Sequence, residues 1–222
     1  MANRNWENLW KACLCRVGFS CGRVVAVPSA GGSCLKELRQ IVIIFEAHST
    51  SVDNERGVAS GHRDSPLSPL GITQAKELGE RYRHVELSGV YCSDLRRSRR
   101  TAEVAFFGRR HLIRTDPRLR ECDYGVFAGR SQVEIVATRA LFVANPYPKG
   151  ESYSEAVRRI GLFVHDLCCE ESALHPVLII GHRATQYGLE CIARNREVAD
   201  VVRESWEWQP GWVYMIAQQR QG

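Results

Sequence analysis

From Arg39 onward the chain alternates short apolar runs with longer amphipathic stretches, and this alternation most narrows the folds open to it. Ile41-Val-Ile-Ile-Phe45, Gly89-Val-Tyr-Cys92, His111-Leu-Ile-Arg114, Val177-Leu-Ile-Ile180 and Trp212-Val-Tyr-Met-Ile216 read as strands. The first and fourth contain no polar residue, as a strand covered on both faces requires. Between them, helical periodicity predicts helices over about 72–84, 96–107, 152–170 and 184–193. In the third, Ala156, Val157, Ile160, Val164, Leu167 and Cys168 fall on one face. Strand and helix in alternation predict an α/β fold, a three-layer sandwich with a mostly parallel central sheet flanked by helices. The tryptophans beside the closing strand, Trp206, Trp208 and Trp212, are read as core.

A length of 222 residues suits one sizeable domain, and 44% apolar with 25% charged residues is ordinary for a globular chain. The formal charge of +5 is unevenly placed. Residues 1–38 net +3 and leave only +2 for the rest, too little for a broad nucleic-acid footprint. That segment shows no sustained period and is read as an N-terminal extension, poorly ordered or mis-started, ahead of a domain over 39–222. Lys11, Arg16 and Arg23 interrupt any apolar run a secretory signal would need, and Ala30-Gly-Gly-Ser33 fits a lipoprotein site at Cys34 poorly. No stretch has membrane-spanning length, so no membrane association is expected. The nine cysteines are odd in number; Cys92, Cys122, Cys168, Cys169 and Cys191 lie in or beside apparent core elements, which suits reduced thiols and a cytoplasmic location. The oligomeric state is left open between monomer and homodimer.

Ligands of such folds gather beyond the carboxyl ends of the strands. Two of those ends carry histidines: Phe45-Glu-Ala-His48-Ser-Thr-Ser51-Val-Asp-Asn54 and Ile180-Gly-His182-Arg-Ala-Thr185. Singly, each could be a hydrogen-bonded structural residue; their matched placement points to a shared site. The seven histidines show no short ligand spacing on a helix, so neither a metal nor another cofactor is expected.

Four further blocks complete a resemblance to the histidine phosphatase superfamily, also called phosphoglycerate mutase-like, over about Ile41–Ile216. His48, Ser51 and Asn54 match its opening Arg-His-Gly motif and the hydroxyl and asparagine that follow, although the arginine is Ala47 and the glycine is Ser49. Asp64-Ser-Pro-Leu-Ser68-Pro-Leu-Gly71-Ile-Thr-Gln-Ala75 is similar to the stretch that leads into the family's first helix. Ser93-Asp-Leu-Arg-Arg97-Ser-Arg-Arg-Thr-Ala102 resembles the segment carrying the phosphate-binding arginine, which the resemblance places at Arg97. Arg118-Leu-Arg-Glu121 with Gly125 and Gly129 gives Glu121 the proton-donor role, and Gly150-Glu-Ser152 resembles the start of the long helix before the second histidine.

The resemblance implies a phosphomonoester hydrolase acting on a small phosphorylated metabolite. His48 would attack phosphorus, Glu121 would protonate the leaving alcohol and activate water, and Arg97 and His182 would hold the phosphoryl oxygens, with Ser51 and Asn54 as further phosphate-binding residues. The alternatives are mutase-type phosphoryl transfer, disfavoured by the short link from Gly129 to Gly150, and a weakened pseudophosphatase that binds a phosphorylated ligand. With Ala47 in the arginine's place, Arg183 or Arg56 is expected to supply the missing charge, Arg183 ahead. Glu46 is two residues before His48, and strand alternation would point both side chains the same way. It is read as a salt-bridge partner for a nearby arginine, with orientation of the imidazole or contact with a cationic group on the substrate as the sharper alternative.

Overall fold

The computed structural model describes residues 39–109, 112–170 and 174–218. The expectations for 1–38 fall outside the described residues. Five strands, β1 (Arg39–Ala47), β2 (Gly89–Cys92), β3 (Ile113–Thr115), β4 (Val177–Gly181) and β5 (Trp212–Gln218), form one sheet in the order β3-β2-β4-β1-β5. The pairings of β1 with β4, β4 with β2, and β2 with β3 are parallel. The helices are α1 (Val52–Glu55), α2 (Pro69–Arg81), α3 (Arg96–Ala105), α4 (Gln132–Thr138), α5 (Tyr153–Glu170), α6 (Arg183–Arg194) and α7 (Val198–Arg203).

Side-chain alternation along the central strands assigns the two layers of helices. Ile41, Ile43 and Phe45 of β1, with Val177 and Ile179 of β4, join Ile160, Phe163 and Val164 of α5 and Leu189 of α6 in one apolar cluster. The opposite face carries Ile44, Leu178, Ile180 and Glu46, and there α2 packs on α3. The α2–α3 crossing is close because Gly79 has no side chain: a Cβ there would stand 2.3 Å from the Ala105 carbonyl oxygen. As the uninterrupted Val-Leu-Ile-Ile run predicts, every residue of β4 is buried.

Helix ends explain most of the boundary differences. α2 begins at Pro69, three residues before the periodic pattern, because Ser68 accepts a hydrogen bond from Gly71 N (3.1 Å) and proline suits the first helical position. α5 starts on a reciprocal cap in which Ser152 Oγ accepts from Glu155 N (3.2 Å) and Glu155 Oε2 accepts from Ser152 N (2.7 Å). α3 has no cap of its own; Asp64 reaches in from the preceding loop and accepts from Arg96 N at 2.7 Å. The tryptophans divide. Trp212 is buried against Phe45, whereas Trp206 and Trp208 are 44% and 57% exposed, contrary to the expectation of core.

Candidate active site

Four strands deliver one candidate residue each to the same end of the sheet. His48 follows β1, His182 follows β4 and precedes α6, Arg97 lies in the first turn of α3 just after β2, and Glu121 follows β3 and a turn of 3-10 helix, Pro117–Leu119. The two histidines meet because β1 and β4 are neighbours in register, Ala47 opposite Gly181, and the ladder runs on one step through His48 N to Gly181 O at 3.0 Å. Their ring centroids are 4.9 Å apart.

The tautomer of His48 follows from its partners. Nδ1 lies 2.8 Å from the carbonyl oxygen of Ser49, which can only accept, so the proton sits on Nδ1 and Nε2 keeps its lone pair. Arg97 Nε donates to that lone pair at 3.2 Å. Burial first, and then the Arg97 charge, push the His48 pKa down to about 3, so the imidazole is a free base across the neutral range. His182 is 1% exposed and is held well below the ordinary histidine range by burial, with the Arg97 charge next. Neither of its ring nitrogens has a hydrogen-bond partner among the described residues, an arrangement a polar ligand beside the ring would satisfy.

Arg97 is itself 2% exposed. Its Nη2 donates to Gly61 O at 2.9 Å and its Nη1 to Arg63 O at 3.0 Å, so the guanidinium plane is fixed from outside α3. Glu121 is engaged from the other side. Its Oε2 accepts from Arg183 N (3.1 Å), and its Oε1 accepts from Ala184 N (3.1 Å) and Cys122 N (2.8 Å), which sets the carboxylate on the positive end of α6. One guanidinium, one carboxylate and two neutral imidazoles thus converge, an arrangement able to bind a phosphoryl group and to move a proton beside it.

The remaining predicted residues are placed differently. Ser51 and Asn54 cap α1: Asn54 Oδ1 accepts from Ser51 N (3.0 Å) and Ser51 Oγ (2.9 Å), and Asn54 N donates back to Ser51 Oγ at 3.2 Å. Neither is hydrogen-bonded to a histidine. Arg56 is exposed and makes no ion pair among the described residues. The Arg183 guanidinium makes no hydrogen bond to either pocket histidine among the described residues. It is held by Gln186 Oε1 at 2.5 Å and lies 4.7 Å from the Tyr187 ring centre and 6.0 Å from that of Trp206. What Arg183 brings to the site is its backbone N–H on Glu121. Glu46 also departs from its sharper reading. Glu46 Oε1 accepts from Arg81 Nη2 (3.1 Å) and Tyr82 OH (2.8 Å) on the α2 face, and no hydrogen bond among the described residues joins it to His48. Burial raises its pKa despite those partners.

Sequence reasoning missed the residues that hold the four in place. Arg159 of α5 donates to the carbonyls of Arg118 (2.6 Å), Arg120 (2.8 Å) and Glu121 (2.9 Å) while pairing with Glu151. His62 Nε2 lies 2.8 Å from the Glu121 carbonyl oxygen. Thr101 Oγ1 accepts from Ser49 N at 3.0 Å and donates to Arg97 O at 2.7 Å. The Glu151 pairing was within reach, since Gly-Glu-Ser had already marked that position; His62 and Arg159 are single polar residues with no local pattern.

The chain is similar to known proteins in sequence and in fold. A Hydrogenobacter thermophilus protein that carries the name phosphoserine phosphatase 2 is 30% identical over 155 residues, 65% of this chain and 74% of the relative. A Klebsiella pneumoniae protein named as a probable phosphoglycerate mutase, GpmB, is 31% identical over 198 residues, 79% of this chain and 91% of its own. The solved structure of the mycobacterial glucosyl-3-phosphoglycerate phosphatase Rv2419c with VO3 superposes with a TM-score of 0.67 at 22% identity, covering 82% of this chain and 97% of that one. The model of the histidine phosphatase superfamily (branch 1) matches residues 43–215, and the chain belongs to that family.

Proposed function

We propose that this chain hydrolyses phosphomonoesters of small metabolites through a phosphohistidine at His48. The observation that carries the reading is the state of His48: Nδ1–H spent on the Ser49 carbonyl, Nε2 unprotonated and beside Arg97, and His182 with two unsatisfied nitrogens next to it. His48 Nε2 attacks phosphorus and the P–O ester bond breaks; the departing oxygen takes a proton from Glu121. Water then gives a proton to the same carboxylate and its oxygen bonds phosphorus, releasing phosphate and the free imidazole. Arg97 and His182 bind the phosphoryl oxygens as charge moves across them. No step calls for a metal or other cofactor. The absence of an arginine at position 47 leaves Arg97 as the guanidinium among the described residues that contacts the histidines, so phosphate is held with less positive charge than the family resemblance implies.

Relatives named for hydrolysis and for mutase chemistry both match most of this chain, so the preference for water as acceptor rests on the short 129–150 connection. α4 and the 3-10 turn Arg139–Phe142 occupy it, leaving little chain for a retaining flap over a phosphorylated product. The free thiols of Cys92, Cys122, Cys168 and Cys191 suit the reducing cytoplasm, and no helix among the described residues is long and apolar enough to cross a membrane. The test is phosphate release from a panel of small phosphate esters, with 3-phosphoglycerate followed for conversion to its isomer. Release of phosphate is expected; isomer without phosphate favours the mutase, and tight binding without either favours the pseudophosphatase.

A further inference from the structure

The loop Gly61-His62-Arg63 touches both charged sides of the pocket. Its two flanking carbonyls grip the ends of the Arg97 guanidinium, and the imidazole between them lies 2.8 Å from the Glu121 carbonyl oxygen. That oxygen can only accept, so His62 Nε2 carries the proton and donates it. The Nδ1 side is flanked by Asp123 Oδ2 at 3.7 Å, and Glu151 Oε1 stands 3.9 Å from Nε2, both beyond hydrogen-bond length. The loop is pressed tightly on this segment. Gly61 has φ +55°, and a Cβ there would come within 3.1 Å of the Tyr124 ring and 3.3 Å of the Cys122 carbonyl oxygen. The side chain of His62 is 28% exposed.

We propose that His62 is a positioning residue, which through its hydrogen bond to the Glu121 backbone sets the Glu121 carboxylate at the leaving oxygen in register with the phosphoryl group held by Arg97. One loop then fixes the spacing between the phosphate cation and the proton donor. Arg159 Nη2 shares the same carbonyl at 2.9 Å, so loss of His62 loosens the carboxylate without freeing it. The proposal rests on the hydrolase reading, in which Glu121 protonates the leaving group.

A purely structural role would slow every ester alike, whereas a misplaced proton donor harms only esters whose leaving group needs a proton. The experiment therefore measures kcat/KM, which reports steps up to phosphorylation of His48, for an alkyl phosphate and for 4-nitrophenyl phosphate. His62→Leu is expected to lower the alkyl value by about tenfold, in line with the rate cost of small misplacements, and the nitrophenyl value by less than about twofold. His62→Gln, with an N–H near the position of Nε2, is expected to return the alkyl value to near that of the parent. Equal losses on both esters, or no loss on either, would overturn the positioning role alone. No turnover of either ester by the parent would overturn the hydrolase reading and this proposal with it.

Discussion

Replacing Arg97 with leucine removes the guanidinium that contacts His48 while keeping much of its buried volume. A guanidinium forked onto two phosphoryl oxygens makes two charge-assisted hydrogen bonds, each worth about 1.5–3 kcal/mol. Together they come to about 3–6 kcal/mol, or a fall in kcat/KM of about 10²- to 10⁴-fold. A second effect is independent of substrate. Burial is the larger cause of the low His48 pKa and the Arg97 charge the next, so in Arg97→Leu the pKa rises from about 3 but stays below the ordinary histidine value. Because the nucleophile must be unprotonated, the acidic limb that His48 imposes on kcat/KM moves to higher pH in the variant. The assays are a pH–rate profile on one small phosphate ester and a proton NMR titration of the His48 ring. A variant within tenfold of the parent, or a His48 titration that does not move upward, would refute the reasoning.

Three further outcomes are expected. Arg81→Met leaves the Glu46 carboxylate, 1% exposed, without its cation and should cost about 3–5 kcal/mol of stability near neutral pH by urea denaturation. Since burial already raises the Glu46 pKa, the deficit should shrink as the pH falls and Glu46 takes a proton, and kcat/KM should not change; a loss of activity at full stability would contradict the placement of Glu46 away from the pocket. His48 and His182 both have folded pKa values below the unfolded 6.5, so the unfolded chain binds more protons below that pH. Stability should therefore decline from pH 6.5 to 5, with each histidine approaching a slope of about 1.4 kcal/mol per pH unit; a flat denaturation midpoint over that window would count against buried neutral histidines. Glu121→Gln keeps an oxygen for the α6 N–H groups but cannot give and retake a proton. It should lower kcat on an alkyl phosphate by about 10²- to 10⁴-fold with a small change in thermal midpoint, and near-normal kcat would remove Glu121 from the chemistry.

Much of this was legible in the chain. The two uninterrupted apolar runs became the neighbouring central strands β1 and β4, and that adjacency is why histidines 134 positions apart in sequence have ring centres 4.9 Å apart. The directions of individual side chains were not legible. Glu46 is held on the α2 side by Arg81 and Tyr82, partners that lie 35 and 36 residues along the chain. Arg183 looked like a spare phosphate ligand from its place after His182, but Gln186 one turn along α6 and the rings of Tyr187 and Trp206 hold its guanidinium elsewhere. Ser51 and Asn54 satisfy each other at a helix cap, a local pairing that the same two residue types signal as readily as a phosphate contact. His62 and Arg159 act on backbone carbonyls far away in sequence, and no periodicity or spacing reports such long-range bonds.

The most direct test of the account is rapid quenching of the protein with an ester labelled in its phosphoryl group, followed by peptide mapping of the trapped label. A phosphoryl group that is acid-labile, stable in base, located on His48 and absent from His48→Ala together with turnover is the predicted result. Label on another residue, or phosphate release undiminished in His48→Ala, would contradict it.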